Sequence, residues 1–164
     1  MAAVDASAWG EYGVAMVGAA AALAGLIFVA ISINLREILA GAGLPGRAGE
    51  GVMTLVVVLL AAALLLVPEQ GTVALGLEWC GLALGFWLVL LRVHLRARAV
   101  YEGKTPLYAG RIVLHHSVVL LLLIAGLAAV LALPGGLYWI VAATLWGILV
   151  GVTDAWVLMV EILR

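Results

Sequence analysis

Apolar residues run along this chain in blocks too long for a soluble fold, separated by short polar or glycine- and proline-rich punctuation. A helix needs about 20 predominantly apolar residues to cross a bilayer. Five blocks approach that length: residues 12–35, 51–67, 72–91, 112–133 and 137–160. The first follows the acidic, aromatic start Asp5, Trp9 and Glu11. The second stops at Pro68, the third ends in Arg92, and the fourth ends at the turn signal Pro134-Gly135-Gly136. At about 1.5 Å per residue the second block spans roughly 25 Å, so it should stand upright or lean on its neighbours. The longest polar stretch, 93–111, reads as an extension of the third helix followed by a turn at Pro106. The pattern predicts an all-α fold: one transmembrane domain over residues 1–164, a polytopic bundle of five helices.

Composition points the same way. Of 164 residues, 67% are hydrophobic and 10% charged, and the mean hydropathy is +1.29. Soluble domains are about 45–50% apolar and about 25% charged, and a chain this short builds only one modest core. These values exclude a soluble enzyme, a disordered chain and a nucleic-acid binder, and make the lipid bilayer the solvent. A net charge of −1 gives no field for a strongly charged partner. The single Cys80 excludes an internal disulfide and every multi-cysteine metal site.

The basic residues predict an orientation. Arg36 and Arg47 adjoin the loop after the first block, Arg92, Arg96, Arg98, Lys104 and Arg111 flank or fill the loop after the third, and Arg164 ends the chain. All eight fall on one side. The other side carries Asp5, Glu11 and Glu69, with Glu78 just inside the apolar region. The positive-inside rule then places the N-terminus outside and the C-terminus in the cytoplasm, as an odd number of spans requires. Trp9, Tyr12, Trp79, Tyr138 and Trp139 are expected at the outer boundary, and Tyr101, Tyr108 and Trp156 near the inner one. The start lacks a basic n-region, so the first block is expected to be an uncleaved helix rather than a signal peptide.

Three blocks carry stripes of small residues. In the first, Glu11, Ala15, Gly18, Ala22, Gly25, Val29, Ser32 and Arg36 share one helix face. The third repeats the theme with Glu78, Gly81, Gly85 and Arg92, and the fifth with Thr144, Gly147, Gly151, Asp154 and Glu161. Small residues let membrane helices approach closely, so these are expected packing seams, within one chain or between copies. The other reading is that one stripe lines a water-filled path, since two of these helices carry an acid near the outer end.

Ionisable residues inside apolar spans are costly; they form either a buried salt bridge or hydrogen bond that fixes helix register, or an ion or proton site. Asp154 lies about two turns before Glu161, and His115 and His116 about one turn after Arg111. With Ser32 and Asn34 at the end of the first helix, they suggest a polar cluster built from helices one, four and five. Asp154 is expected to pair with Arg36, Arg111, His115 or His116. Candidates for an ion or proton path are therefore Asp154, His115, His116, Glu78, Glu11, Ser32 and Asn34. His94, His115 and His116 are also the residues that a metal or haem would use. Neighbouring His115 and His116 point about 100° apart on a helix, so they do not easily share one ion, whereas His94 with either one could. No cysteine partner or HExxH spacing accompanies them, and the expectation is no metal and no cofactor. Without GxSxG, Walker or GxGxxG sequences, no catalytic residue is expected and the chain reads as a non-enzyme.

Residues 18–35 (GAAAALAGLIFVAISINL), followed by LPGRA at 44–48 and LVP at 66–68, resemble a group of small bacterial multi-pass membrane proteins, some of which carry the label modulator of FtsH protease. The resemblance covers roughly the first 70 residues and includes no catalytic motif. It implies a bacterial inner (plasma) membrane and marks Ser32, Asn34 and Arg47 as family-like positions. Taken together, the expectation is a homo-oligomeric ion channel or small transporter. The alternative is a non-transporting accessory or scaffold protein that modulates a larger membrane complex.

Overall fold

The structure, a computed structural model, describes residues 9–41, 43–98, 105–133 and 135–162. Its regular structure is entirely helical among the described residues. The helices are α1 (Gly10–Ile33), α2 (Leu35–Ala40), α3 (Leu44–Ala63, continued by a 3-10 turn at Leu64–Leu66), α4 (Thr72–Ala97), α5 (Thr105–Val130) and α6 (Tyr138–Ile162). Five segments are long and apolar enough to cross a membrane: Gly10–Ile33, Leu44–Leu66, Thr72–Ala97, Tyr108–Val130 and Tyr138–Val160. Large apolar side chains such as Leu26, Phe28, Leu77, Leu84, Leu120 and Leu149 point away from the bundle. A soluble protein of this size would not display that much apolar surface. The architecture is compatible with an integral membrane protein.

Two helices start seven residues before their apolar blocks, and the first is α3, at Leu44 rather than residue 51. Gly43 takes the left-handed conformation, φ 85°, which closes the preceding turn and launches the helix. Pro45 then falls in the first turn, where its missing N–H has no helical acceptor to serve. The early start carries Arg47 and Glu50 into the helix. In the same way, α5 begins at Thr105 with Pro106 inside its first turn, so Pro106 opens the helix instead of forming a separate turn.

Helix α3 is the hub. It packs against α1 on one side and α6 on another and touches α4, while α5 closes the bundle against α4 and α6. Two crossings are tight because glycine is present. A Cβ on Gly76 would come within 2.6 Å of the Gly126 carbonyl oxygen, at the α4–α5 crossing. A Cβ on Gly151 would meet Leu55 Cγ at 2.8 Å, and one on Gly147 would run into Val58 Cγ2. The Gly147/Gly151 stripe is therefore a packing seam within the chain, between α6 and α3. The other two stripes are not. Gly18, Gly25, Gly81 and Gly85 have no neighbour that a Cβ would touch, and Ala15 and Ala22 are exposed. Those faces turn outward from the bundle.

Aromatic residues divide similarly. Trp9 packs edge-on against Tyr12 and Tyr138 at the end opposite the arginines. Trp79, expected at a boundary, is instead fully buried between helices and donates its indole N–H to the Ala61 carbonyl, 2.9 Å away. A buried indole needs such an acceptor. Tyr101 lies outside the described residues.

Candidate functional site

The N-terminal turns of α3 and α5 and the C-terminal turns of α4 and α6 meet at one end of the bundle. At about 1.5 Å per residue, Glu50, His115 and Asp154 each lie about 9–11 Å inside the end of their membrane-capable segment (Leu44–Leu66, Tyr108–Val130 and Tyr138–Val160), and His94 and Arg111 about one turn inside theirs. All five residues are buried, none more than 5% exposed. Four helices contribute: Glu50 from α3, His94 from α4, Arg111 and His115 from α5, and Asp154 from α6.

Glu50 is the centre. Arg111 donates from Nε to Glu50 Oε2 at 2.5 Å. His94 Nε2 lies 3.2 Å from Oε1, and His115 Nε2 lies 3.7 Å from Oε2. His115 bridges to the second carboxylate, with Nε2 2.8 Å from Asp154 Oδ2, while its Nδ1–H donates to the Arg111 carbonyl at 2.9 Å. Arg47 stands at the rim with Nε 3.9 Å from Asp154 Oδ1, and it is partly open where the others are not. Behind His94, the Tyr108 hydroxyl donates to the His94 carbonyl, and the His116 ring stacks on the His94 ring with centroids 5.3 Å apart. Glycines make the space: a Cβ on Gly51 would stand 3.1 Å from Asp154 Cβ, and one on Gly46 would contact the Arg111 guanidinium.

A charge in such a place persists only when paired, and removing one partner of a buried pair costs about 3–5 kcal/mol. The two carboxylates and two guanidiniums satisfy that requirement in alternation. The pairing is nevertheless incomplete. Glu50 Oε1 and both ring nitrogens of His94 make no directed hydrogen bond, although they are buried. A buried polar atom left in this state costs about 1–3 kcal/mol. Of these atoms, Glu50 Oε1 and His94 Nε2 face each other at 3.2 Å, and Glu50, His94 and His115 each offer one ligand atom within 4.8 Å of the others.

Two of the sequence candidates, Asp154 and His115, are brought together here. His116 adjoins the cluster but bonds its own helix, with Nδ1 donating to the Ile112 carbonyl at 2.9 Å. The others lie elsewhere. Ser32 and Asn34 donate back to the carbonyls of Phe28 and Ala30 on α1, and α1 adds no side chain to the cluster, which is built from α3 to α6. Arg36 is exposed. Glu11 is exposed near the opposite end, and Glu78 is exposed and accepts from Gln70 Nε2 at 2.5 Å. Of the basic partners expected for Asp154, His115 is the one in contact, whereas Arg111 serves Glu50. Glu50 itself was not expected. Its neighbourhood, Gly43-Leu44-Pro45-Gly46-Arg47-Ala48-Gly49, reads as a loop by composition. The signal available was Pro45 in a helical first turn, with Arg47 and Glu50 one turn apart behind it.

Above the cluster, α1 and α6 are tied by the Tyr12 hydroxyl and Thr144 Oγ1 at 2.6 Å, and α6 and α5 by Trp146 Nε1 donating to Ser117 Oγ at 2.7 Å. No protein-family model, no curated protein and no solved structure matches this chain.

Proposed function

We infer that this chain is a small inner-membrane channel or transporter for an ion, assembled from more than one copy, with the buried cluster on the ion's route. The observation that carries this reading is the meeting of five buried ionisable side chains from four helices within apolar spans. A structural salt bridge needs two such groups. Five, with unsatisfied polar atoms among them, are a costly arrangement that ion and proton sites in membranes share. The outward stripes Ala15/Gly18/Ala22/Gly25 and Gly81/Gly85 supply faces on which a second copy can pack closely. The orientation that suits the arginines puts the cluster at the cytoplasmic end and the N-terminus outside. Ion flux into liposomes carrying the purified protein tests this reading.

The outward stripes also favour a second reading, an accessory or scaffold protein that docks on helices of a larger membrane complex. The resemblance of the first 70 or so residues to chains labelled as protease modulators supports it. Under that reading liposomes show no flux, and the chain co-purifies with a larger assembly from native membranes.

A further inference from the structure

We propose that Glu50, His94 and His115 bind a first-row divalent transition-metal cation of the Zn²⁺ class, with Asp154 as a fourth donor, and that this cation is the ion the protein passes. The second clause rests on the transport reading above; the binding site does not. The sequence expectation was no metal, because no linear spacing of ligands is present. The structure supplies the ligands from four separate helices instead.

Three observations converge. The first is donor type and spacing. Metal–ligand bonds of about 2.0 Å to imidazole nitrogen and carboxylate oxygen put tetrahedral ligand atoms about 3.3 Å apart. His94 Nε2 and Glu50 Oε1 are 3.2 Å apart, His115 Nε2 and Glu50 Oε2 3.7 Å, and His115 Nε2 and Asp154 Oδ2 2.8 Å. One ligand atom from each of Glu50, His94 and His115 lies within 4.8 Å of the other two. The second is the set of unsatisfied atoms. Glu50 Oε1 and both His94 nitrogens have no directed hydrogen bond, on residues that are 2% and 4% exposed. A cation between them satisfies Glu50 Oε1 and His94 Nε2 together. The third is the support behind each ligand. His115 donates its Nδ1–H to the Arg111 carbonyl, which leaves Nε2 to face only carboxylate oxygens, as in metal-bound histidines. Arg111 holds Glu50, and Arg47 faces Asp154.

Two imidazoles with carboxylates favour Zn²⁺, Co²⁺ and their neighbours, whereas Mg²⁺ and Ca²⁺ prefer all-oxygen shells. The two guanidiniums already balance the two carboxylates. The charge of a bound dication is therefore not cancelled by the site, and the ion is held weakly. Weak binding suits an ion in passage rather than a permanent structural metal.

The test uses the full chain purified in detergent. Co²⁺ titrated into it should give a visible absorption band at one ion per chain. Zn²⁺ should displace the band and a hundredfold excess of Mg²⁺ or Ca²⁺ should not. His94→Gln and Glu50→Gln should each weaken binding by about tenfold or more, while Glu78→Gln, at an exposed acid of the opposite half, leaves it unchanged. X-ray absorption of the Zn²⁺-loaded wild type needs no variant, and it should show two imidazoles with oxygen donors. A folded wild type that takes up neither Co²⁺ nor Zn²⁺, a zinc shell without two imidazoles, or undiminished binding in folded His94→Gln would overturn the site. Metal binding without flux in liposomes removes the transport reading and leaves the site. Flux of another ion without metal binding does the reverse.

Discussion

A carboxylate two turns inside an apolar helix survives only through what it touches, and Asp154 touches His115 at 2.8 Å. Asp154→Ala removes the acceptor and leaves the ring nitrogen facing a void. A loss of about 3–5 kcal/mol is expected on the scale for breaking a buried pair. Asp154→Asn keeps the volume and one hydrogen bond and should cost less. Denaturant titration in mixed micelles, followed by circular dichroism, ranks the two; equal stability of both variants with wild type would remove Asp154 from the cluster. Asp154 and His115 were legible in the sequence because each is an ionisable residue surrounded by apolar ones. Glu50 was not, because charged and glycine-rich residues before an apolar run look like the loop that ends it. Nor does any local pattern announce a pair such as Glu50 and Arg111, 61 positions apart.

At the scale of helices, five spans were legible because lipid imposes a length and a polarity that a sequence displays directly. Their ends were less so. Helix α3 begins seven residues early since Gly43 and Pro45 fit a helix start as well as a loop. The stripes of small residues could not be sorted by sequence, because an identical spacing serves a seam inside the chain and one between chains. The structure sorts them, and substitutions should follow. Gly151→Leu forces a side chain into Leu55 across the α3–α6 crossing, with an expected cost of at least about 1–3 kcal/mol. Gly18→Leu meets nothing in its own chain, so its stability as a monomer should match that of wild type while its assembly weakens. Native mass spectrometry and thermal melting of the two variants separate these effects. Leu60→Ala, at an exposed position, serves as the control. Destabilised monomers from Gly18→Leu would contradict the sorting.

For the whole molecule, the described basic residues Arg36, Arg47, Arg92, Arg96, Arg98 and Arg111 gather at the end of the bundle that holds the buried cluster. Under the positive-inside rule that asymmetry predicts an orientation. A reporter fused after Arg164 should read as cytoplasmic, and a tag before Trp9 should be reachable from outside intact cells; the reverse pattern would place the cluster at the outer face. The central claim is that an ion crosses through the buried cluster, and reconstituted flux tests it most directly. Liposomes carrying wild type should pass an ion that empty liposomes do not. Glu50→Gln, folded and assembled, should reduce that flux by about tenfold or more, while Glu78→Gln, at an exposed acid of the opposite half, leaves it unchanged. Flux equal to that of empty liposomes, or equal in wild type and Glu50→Gln, would contradict the account.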